Sequence, residues 1–115
     1  MKIFCWNCRG LERPRTVRAQ RESIRSLSPQ VVCLLETKKM AKDLEGLKYR
    51  LGFQSVFGVN CRGRSGGIAL LWKDSVVVEI RNYSFWHIDA VVKEKTEFRL
   101  SVFYGEPSIS RRVNS

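Results

Sequence analysis

Short runs of apolar residues recur along this chain, and two of them end abruptly in a single polar side chain. Residues 3–6 are followed by Asn7, and residues 31–35 are followed by Glu36. Apolar runs of this length are typical of β-strands that are buried on both faces of a sheet. An amide and a carboxylate at the ends of two such strands are therefore the first candidates for a functional site.

The segment between these two runs has the spacing of a helix. Proline suits the first position of this helix at residue 14, a second proline ends it after residue 27, and Gln20 interrupts its apolar stripe. A strand, a helix and a strand in about 35 residues form a βαβ unit, whose two strands run parallel. Because parallel strands end at the same edge of a sheet, we expect Asn7 and Glu36 to lie side by side there.

The rest of the chain alternates between strand patterns and turn residues. A weak helix is predicted around residues 40–51, and a glycine- and arginine-rich loop over residues 58–67. The polar segment 108–115 is predicted to be a disordered tail. The fold class is therefore α/β (α+β), with a mixed sheet and one or two helices on one face. Strands are predicted over residues 2–7, 31–35, 53–57, 68–72, 76–81, 85–93 and 98–104.

Charge narrows the choice of partner. The 115 residues include 21 Lys plus Arg and 11 Asp plus Glu, which gives a formal net charge of +10. An excess of this size favours a polyanionic partner, most often nucleic acid, and the alternative is a basic, well-solvated surface. With 43% hydrophobic residues the chain is able to form one small domain with a core.

The four cysteines indicate a reduced environment. No signal peptide precedes them, so we expect free thiols, no disulfides, and a nuclear or cytoplasmic location. Cys5 and Cys8 have the spacing of half a zinc site, but no second pair of ligands completes four. No apolar run approaches the roughly 18 residues of a membrane span, so no membrane partner is expected.

Six segments occur in an order and spacing that are specific when taken together. They are Trp6-Asn7-Cys8-Arg9-Gly10-Leu11, Pro14-Arg15-Thr16-Val17, Leu34-Leu35-Glu36-Thr37-Lys38, Gly63-Arg64-Ser65-Gly66-Gly67-Ile68-Ala69-Leu70-Leu71-Trp72, His87-Ile88-Asp89 and Phe103-Tyr104-Gly105-Glu106-Pro107. In these segments the chain resembles the amino-terminal half of the endonuclease/exonuclease/phosphatase superfamily, which has the deoxyribonuclease-I-like fold. The resemblance is strongest to the endonuclease domain of plant-type LINE (non-LTR) retrotransposons.

The resemblance implies an αββα sandwich and hydrolysis of phosphodiester bonds in nucleic acid, with DNA favoured, by an enzyme that uses Mg²⁺. By position, Glu36 matches the metal-binding glutamate of the family. Asn7 matches its active-site asparagine, and Tyr104 the tyrosine whose hydroxyl approaches the scissile phosphate. Mg²⁺ suits one carboxylate supplemented by water and phosphate oxygens. We expect weak metal binding in this chain.

Family members also carry an Asp-x-Asn motif and a Ser-Asp-His type motif beyond the Tyr-Gly-x-Pro region, and this chain stops before both. We therefore expect residues 1–107 to be the amino-terminal half of such a domain, with weak or no activity alone. We expect that half to hold about one layer of helix and the strands of roughly one sheet, with some extra strands, to leave a large apolar surface exposed, and to be marginally stable. The alternatives are a non-catalytic basic module that binds nucleic acid, or a decayed gene remnant.

Each candidate residue also has a purely structural interpretation. Glu36 is then a solvated acid paired with Lys38 or Lys39, Asn7 a turn residue, and Tyr104 a core tyrosine.

The arginines have the same two interpretations. The loop with Arg62 and Arg64 lacks the ending of a P-loop, so it is either a hairpin tip or a site of phosphate contacts. Arg9, in the loop after the first strand, is a further candidate for nucleic-acid binding.

His87 and Asp89 have the spacing of a pair on one strand face. A histidine titrates near neutral pH, which makes His87 a tempting general base. The resemblance places it in a structural strand instead, and we expect no catalytic role for it.

Overall fold

The computed structural model describes residues 1–11, 14–104 and 109–113, and of Pro14 and 109–113 only the backbone. Its first half forms a four-stranded sheet with strand order β1-β2-β4-β3, in which β1 is parallel to β2 and the other pairs are antiparallel. A short 3₁₀ helix, Ala41–Asp43, precedes the second α-helix. The elements of this half are β1 (Ile3–Asn7), α1 (Pro14–Leu27), β2 (Val31–Leu35), α2 (Leu44–Leu51), β3 (Ser55–Arg62) and β4 (Ser65–Trp72).

The second half forms a separate antiparallel sheet with strand order β5-β6-β7-β8. Its strands are β5 (Val77–Ser84), β6 (His87–Lys93), β7 (Glu97–Phe103) and β8 (Ile109–Val113). The expected fold class is confirmed, because the molecule is an α+β partial sandwich with two helices. The strands expected beyond the first sheet form a four-stranded second sheet, because they pair with one another rather than extending the first sheet.

Two hydrophobic cores hold the layers together. The inter-sheet core contains alternate residues of both sheets, such as Cys33 and Leu70 from the first and Ala90 and Leu100 from the second. The helix-side core lies between the other face of the first sheet and the helices, and includes Leu34. The first sheet is therefore buried on both faces, which explains why β2 and β4 are continuous apolar runs.

Helix α1 begins and ends at the predicted residues, and Gln20 is buried within it. The Gln20 side-chain N–H donates to the Cys8 Sγ at 3.1 Å, while its Oε1 has no partner among the described residues. The interruption seen in the apolar stripe is thus a buried amide facing the first sheet.

Two segments differ from the sequence-based prediction. Residues 58–67 are not a long loop: β3 continues to Arg62 and β4 begins at Ser65, so only a tight hairpin turn separates them. Ile109–Val113, predicted to be disordered, pairs with β7 as an edge strand. In both cases pairing with a neighbouring strand supplies backbone hydrogen bonds that local composition does not reveal.

The outer face of the second sheet carries charged residues together with the exposed Val77 and Phe103. Arg81 and Lys93 both form ion pairs with Glu79, and Asp89 pairs with Arg99. None of the helices in the described part of the chain is long and apolar enough to cross a membrane.

Candidate active site at one end of the sandwich

Asn7 and Glu36 lie at adjacent strand ends, as the βαβ pattern predicted. Asn7 is the register partner of Leu35, the residue before Glu36, and neighbouring strands are about 4.8 Å apart. The loops that follow are joined by main-chain hydrogen bonds: the Cys8 N–H donates to the Leu35 carbonyl at 2.8 Å, and the Gly10 N–H to the Glu36 carbonyl at 2.8 Å. Asn7 and Glu36 therefore lie at adjacent strand ends, and main-chain hydrogen bonds join the loops that follow them.

The backbone at this end adopts conformations that non-glycine residues rarely take. Arg9, Glu36 and Lys38 have φ angles of +52°, +54° and +56°. Such left-handed conformations persist only where the surroundings enforce them, and they cluster at functional sites. Here the Thr37 N–H donates to the Gly67 carbonyl at 3.1 Å. The loop after β2 is thus fixed between β1 and β4.

Glu36 is half-buried, and within the described residues its carboxylate has no hydrogen-bond or ion-pair partner. The alternative pairing with Lys38 or Lys39 does not form. A partly desolvated carboxylate without donors is costly unless a cation compensates it.

The cysteines near this end do not form a metal site. Cys5 packs against the inter-sheet core and Cys8 lies in the helix-side core, so their thiols lie on opposite faces of the sheet. Burial raises the pKa of Cys8 to about 12, and the negative charge of Glu36 contributes a smaller part of this increase. The four cysteines are free thiols.

Asn7 is exposed, and its Oδ1 accepts a hydrogen bond from the Arg9 N–H at 3.3 Å. The asparagine therefore has the turn contact that its structural interpretation predicted. Because Ile3 and Cys5 pack against the inter-sheet core, strand alternation places Asn7 on the face of β1 that looks toward the second sheet.

Tyr104 comes to the same end from the second sheet. Its N–H donates to the Trp86 carbonyl at 2.7 Å, and its ring stacks on the Trp86 ring with centroids 5.7 Å apart. Its ring also meets the edge of Phe85, which lies over Gly66, where an added Cβ would overlap the Phe85 ring. Since the Gly66 carbonyl accepts the Lys38 N–H at 2.8 Å, Tyr104 is linked to the Glu36 loop through three successive contacts.

The ring of Tyr104 packs against the inter-sheet core, as its structural interpretation predicted. Its hydroxyl has no hydrogen-bond partner among the described residues, so it is available to a ligand.

The predicted arginines surround this end. Arg9 is exposed in the loop after β1, and the Arg62 guanidinium lies 4.1 Å from the centroid of the Phe85 ring. Arg64 is exposed in the turn of the β3–β4 hairpin. The hairpin-tip interpretation is therefore confirmed for Arg64.

His87 and Asp89 lie elsewhere, on the outer face of the second sheet. The His87 Nδ1 and the Ser84 Oγ are hydrogen-bonded at 2.6 Å. Asp89 accepts hydrogen bonds from Arg99 and Ser101, and the contact with Arg99 is the main reason why the pKa of Asp89 is lowered. Both residues therefore have hydrogen-bond partners within the second sheet.

Sequence analysis missed the turn of the β5–β6 hairpin, where Phe85 and Trp86 meet Tyr104. It placed Phe85 and Trp86 inside a strand over residues 85–93, but β6 begins only at His87. It also missed Thr37, which is fully buried and whose Oγ1 accepts the Lys39 N–H at 3.3 Å. The adjacent glycines Gly66 and Gly67 near the start of β4 were the available signal, because they allow this close approach.

Few of the described side chains at this end of the molecule could bind Mg²⁺. Within the described residues no group of three or more His, Cys, Asp or Glu side chains could hold a metal. Glu36 nevertheless offers one carboxylate that has no ion-pair partner among the described residues, at the strand end beside that of Asn7. This fits an ion that takes one or two carboxylates and keeps most of its waters.

Comparison with known proteins gives the same architecture. No protein-family model matches the chain. The AP endonuclease LMAP from Leishmania major superposes with a TM-score of 0.63 at 17% identity, covering 90% of this chain and 40% of that one. A D. rerio TDP2, humanized by 14 mutations, superposes with a TM-score of 0.58 at 19% identity, covering 92% and 51%. The chain has the deoxyribonuclease-I-like fold.

The catalytic domain of Xenopus laevis APE2 also matches, with 26% identity, a TM-score of 0.47, and coverage of 70% of this chain and 26% of that one. All three proteins have the deoxyribonuclease-I-like fold of the endonuclease/exonuclease/phosphatase superfamily. The chain spans about half, or less, of the length of these structures.

Proposed function

We propose that this chain is part of a metal-dependent phosphodiester hydrolase of the DNA endonuclease type, with Asn7, Glu36 and Tyr104 in its centre. The observation that supports this most directly is the pairing of the Asn7 and Glu36 strand ends, with an uncompensated carboxylate between fixed loops. The deoxyribonuclease-I-like fold supports the same chemistry, since the matched structures include an AP endonuclease.

In this proposal each residue has a distinct task. Glu36 holds Mg²⁺, which when bound polarises the phosphoryl oxygen and stabilises the leaving oxyanion. The Asn7 amide orients the phosphate, and the free hydroxyl of Tyr104 donates a hydrogen bond to it. Arg9, Arg62 and Arg64 neutralise flanking phosphates.

We further propose that the chain corresponds to the amino-terminal half of a LINE-type endonuclease domain. The solved structures that it matches are about twice its length or more, which supports this interpretation. The residues that orient or deprotonate the attacking water would then lie in the other half, so the activity of this chain alone is expected to be weak.

The test is nicking of supercoiled plasmid with and without Mg²⁺. We expect slow, Mg²⁺-dependent nicking that falls at least tenfold in Glu36→Gln. Glu22→Gln is the matched control, because Glu22 is an exposed acid on α1 and is not part of the proposed centre. Equal activity of Glu36→Gln and the wild type would contradict the proposal.

A binding measurement keeps the proposal testable even if turnover is very slow. Mn²⁺ broadens the amide NMR signals of residues near its site, so we expect selective broadening in the loops containing Arg9, Glu36 and Thr37. This broadening should disappear in Glu36→Gln and persist in Glu22→Gln. Broadening that does not depend on Glu36 would argue against a metal at this position.

The net charge of +10 supports a second candidate, a non-catalytic module that binds nucleic acid. That module would bind DNA in a salt-dependent way. It would show no Mg²⁺-dependent nicking and no change of affinity in Glu36→Gln.

A further inference from the structure

An exposed aromatic stack lies next to the candidate centre. We call Phe85, Trp86 and Tyr104 the aromatic platform. The Trp86 ring stacks on Tyr104 with an interplanar angle of 20°, and Phe85 meets both rings edge-on, with centroids 4.8 Å from Trp86 and 5.7 Å from Tyr104. Trp86 is nonetheless 57% exposed. A large aromatic ring thus lies at the surface, supported from behind by another ring.

The platform is held by its backbone rather than by burial of Trp86. Trp86 lies in the tight turn between β5 and β6, where its N–H donates to the Ser84 Oγ at 3.0 Å and its carbonyl accepts the Tyr104 N–H at 2.7 Å. Phe85 is fixed by close contact with Gly66, whose added Cβ would approach the Phe85 Cε1 to 2.6 Å. A stack fixed in this way loses little conformational entropy when a further ring is added to it.

Positive charge accompanies the platform. The Arg62 guanidinium covers the Phe85 ring at 4.1 Å, and Arg64 is exposed two residues further along the hairpin. An open cavity of about 380 Å³ adjoins them, and its lining includes Asn60, Arg62 and Tyr83. Exposed stacking rings beside arginines are the combination that binds single-stranded nucleic acid, where bases stack and phosphates need a cation.

We propose that the aromatic platform stacks an unpaired nucleobase of the substrate strand, on the free face of Trp86, while Arg62 neutralises the adjoining phosphate. This rests on the proposed function and specifies its substrate class: nucleic acid with an unpaired or unstacked base beside the scissile phosphate. Duplex bases are stacked on one another, so an intact duplex offers no free base face to Trp86.

The experiment measures binding without metal, so that no cleavage occurs. A fluorescent single-stranded DNA 12-mer and the same sequence as a blunt duplex are titrated with the full chain, using anisotropy. We expect Trp86→Ala to weaken binding of the single strand roughly tenfold or more. Duplex binding and the dependence of the affinity on salt should change little, because phosphate contacts are retained. Trp86→Phe should restore most of the affinity.

Tyr49→Ala is the matched control. Tyr49 is 74% exposed on α2 and has a lysine near its ring, at 4.7 Å between the Lys48 Nζ and the ring centroid, but it is not part of the platform. Its removal should leave both affinities unchanged. Equal effects of Trp86→Ala and Tyr49→Ala, or equal losses for single strand and duplex, would overturn the proposal.

A second measurement does not depend on any variant. The wild-type chain is titrated with an oligonucleotide of abasic residues, which keeps the phosphates and lacks the bases. We expect a loss of affinity close to that of Trp86→Ala. Undiminished binding of the abasic strand would overturn the proposal. Polyglutamate binding as tight as that of the 12-mer would also do so, and would assign the surface to an acidic protein partner.

The outcome separates this inference from the proposed function. Loss of Mg²⁺-dependent nicking in Glu36→Gln together with unchanged single-strand binding in Trp86→Ala would retain the phosphodiesterase centre and reject the platform. The opposite pair of results would retain base stacking and reject the centre.

Discussion

The two sheets of this molecule are built differently although they share one core. The first sheet is covered on one face by the second sheet and on the other by helices, and all five residues of β2 are buried. Within the described residues the second sheet is covered on one face, and its strand β7 alternates between buried and exposed positions. Its outer face carries ion pairs.

This difference explains where polar groups stand out. In a strand buried on both faces, the first polar residue marks the point where the chain leaves the core, as Asn7 and Glu36 do. In a strand buried on one face, polar residues occur at every second position and carry no such signal. The chemistry of the candidate centre therefore comes from the strand ends of the first sheet, and its aromatic neighbours come from a turn of the second.

The comparison is tested most strongly in the helix-side core. Leu34 is fully buried on the face of β2 that packs against the helices. We expect Leu34→Ala to lower the free energy of unfolding by about 2–5 kcal/mol. Val77, 60% exposed in β5, is the matched aliphatic position, where Val77→Ala should change stability by less than about 0.5 kcal/mol. Urea unfolding measures both, and similar losses would mean that the two sheets are equally buried.

Substitutions at glycines of the β3–β4 hairpin should give the next largest change in stability. Gly67 has a φ of +91°, and an added Cβ would overlap the Thr37 Oγ1 and lie 3.0 Å from the Lys38 nitrogen. We expect Gly67→Ala to cost about 2–4 kcal/mol and to displace the Glu36 loop in NMR spectra. Gly63→Ala should cost only about 1 kcal/mol, since Gly63 has positive φ but nothing within 4 Å. Equal costs would mean that backbone conformation alone matters.

Gln20 is a buried polar residue whose side-chain oxygen lacks a hydrogen-bond partner among the described residues, on the helix side of the first sheet. Its Oε1 is buried without a partner in the described part of the chain, and its N–H contacts only the Cys8 sulfur. We expect Gln20→Met, which keeps a similar volume, to raise the free energy of unfolding by about 1 kcal/mol. Thermal and urea unfolding measure the change. A loss of stability would show that the amide has a function in the core that the structure does not reveal.

The smallest effect concerns the outer face of the second sheet. The pKa of Asp89 is lowered, chiefly because Arg99 donates hydrogen bonds to it. Because the pKa of Asp89 is lower in the folded chain, the unfolded chain binds the proton at a higher pH than the folded chain does when the solution is acidified. The stabilisation is therefore present above about pH 4 and is lost as the pH falls through the folded-state value. Asp89→Asn should flatten this acid limb in urea midpoints measured between pH 2 and 7. An unchanged limb would exclude the pair as its cause.

Local pattern was sufficient where structure is local. The bounds of α1 and β2 and the pairing of the Asn7 and Glu36 strand ends follow from helical spacing, proline positions and the rule for βαβ units. The β3–β4 hairpin was mistaken for a loop because Gly66 and Gly67 resemble turn residues. In the structure Gly66 packs closely against Phe85 and Gly67 against Thr37, and both partners are distant in sequence.

The pairing of strands in the second sheet and the aromatic platform could not be predicted from local sequence pattern. The alternation in β6 and β7 predicted strands but not their partners, since pairing depends on contacts between distant segments. Likewise, Trp86 has the same appearance in sequence whether it lies in a core or in a turn. Only the packing of one sheet on the other brings it to Tyr104.

Main-chain hydrogen bonds, rather than side chains, join the loops after β1 and β2. We therefore expect substitutions at positions 7 and 36 to leave the hydrogen bonds between these loops in place. This makes the strand ends a place where an engineer could install other ligand pairs, such as two histidines, and ask which chemistry the same architecture accepts.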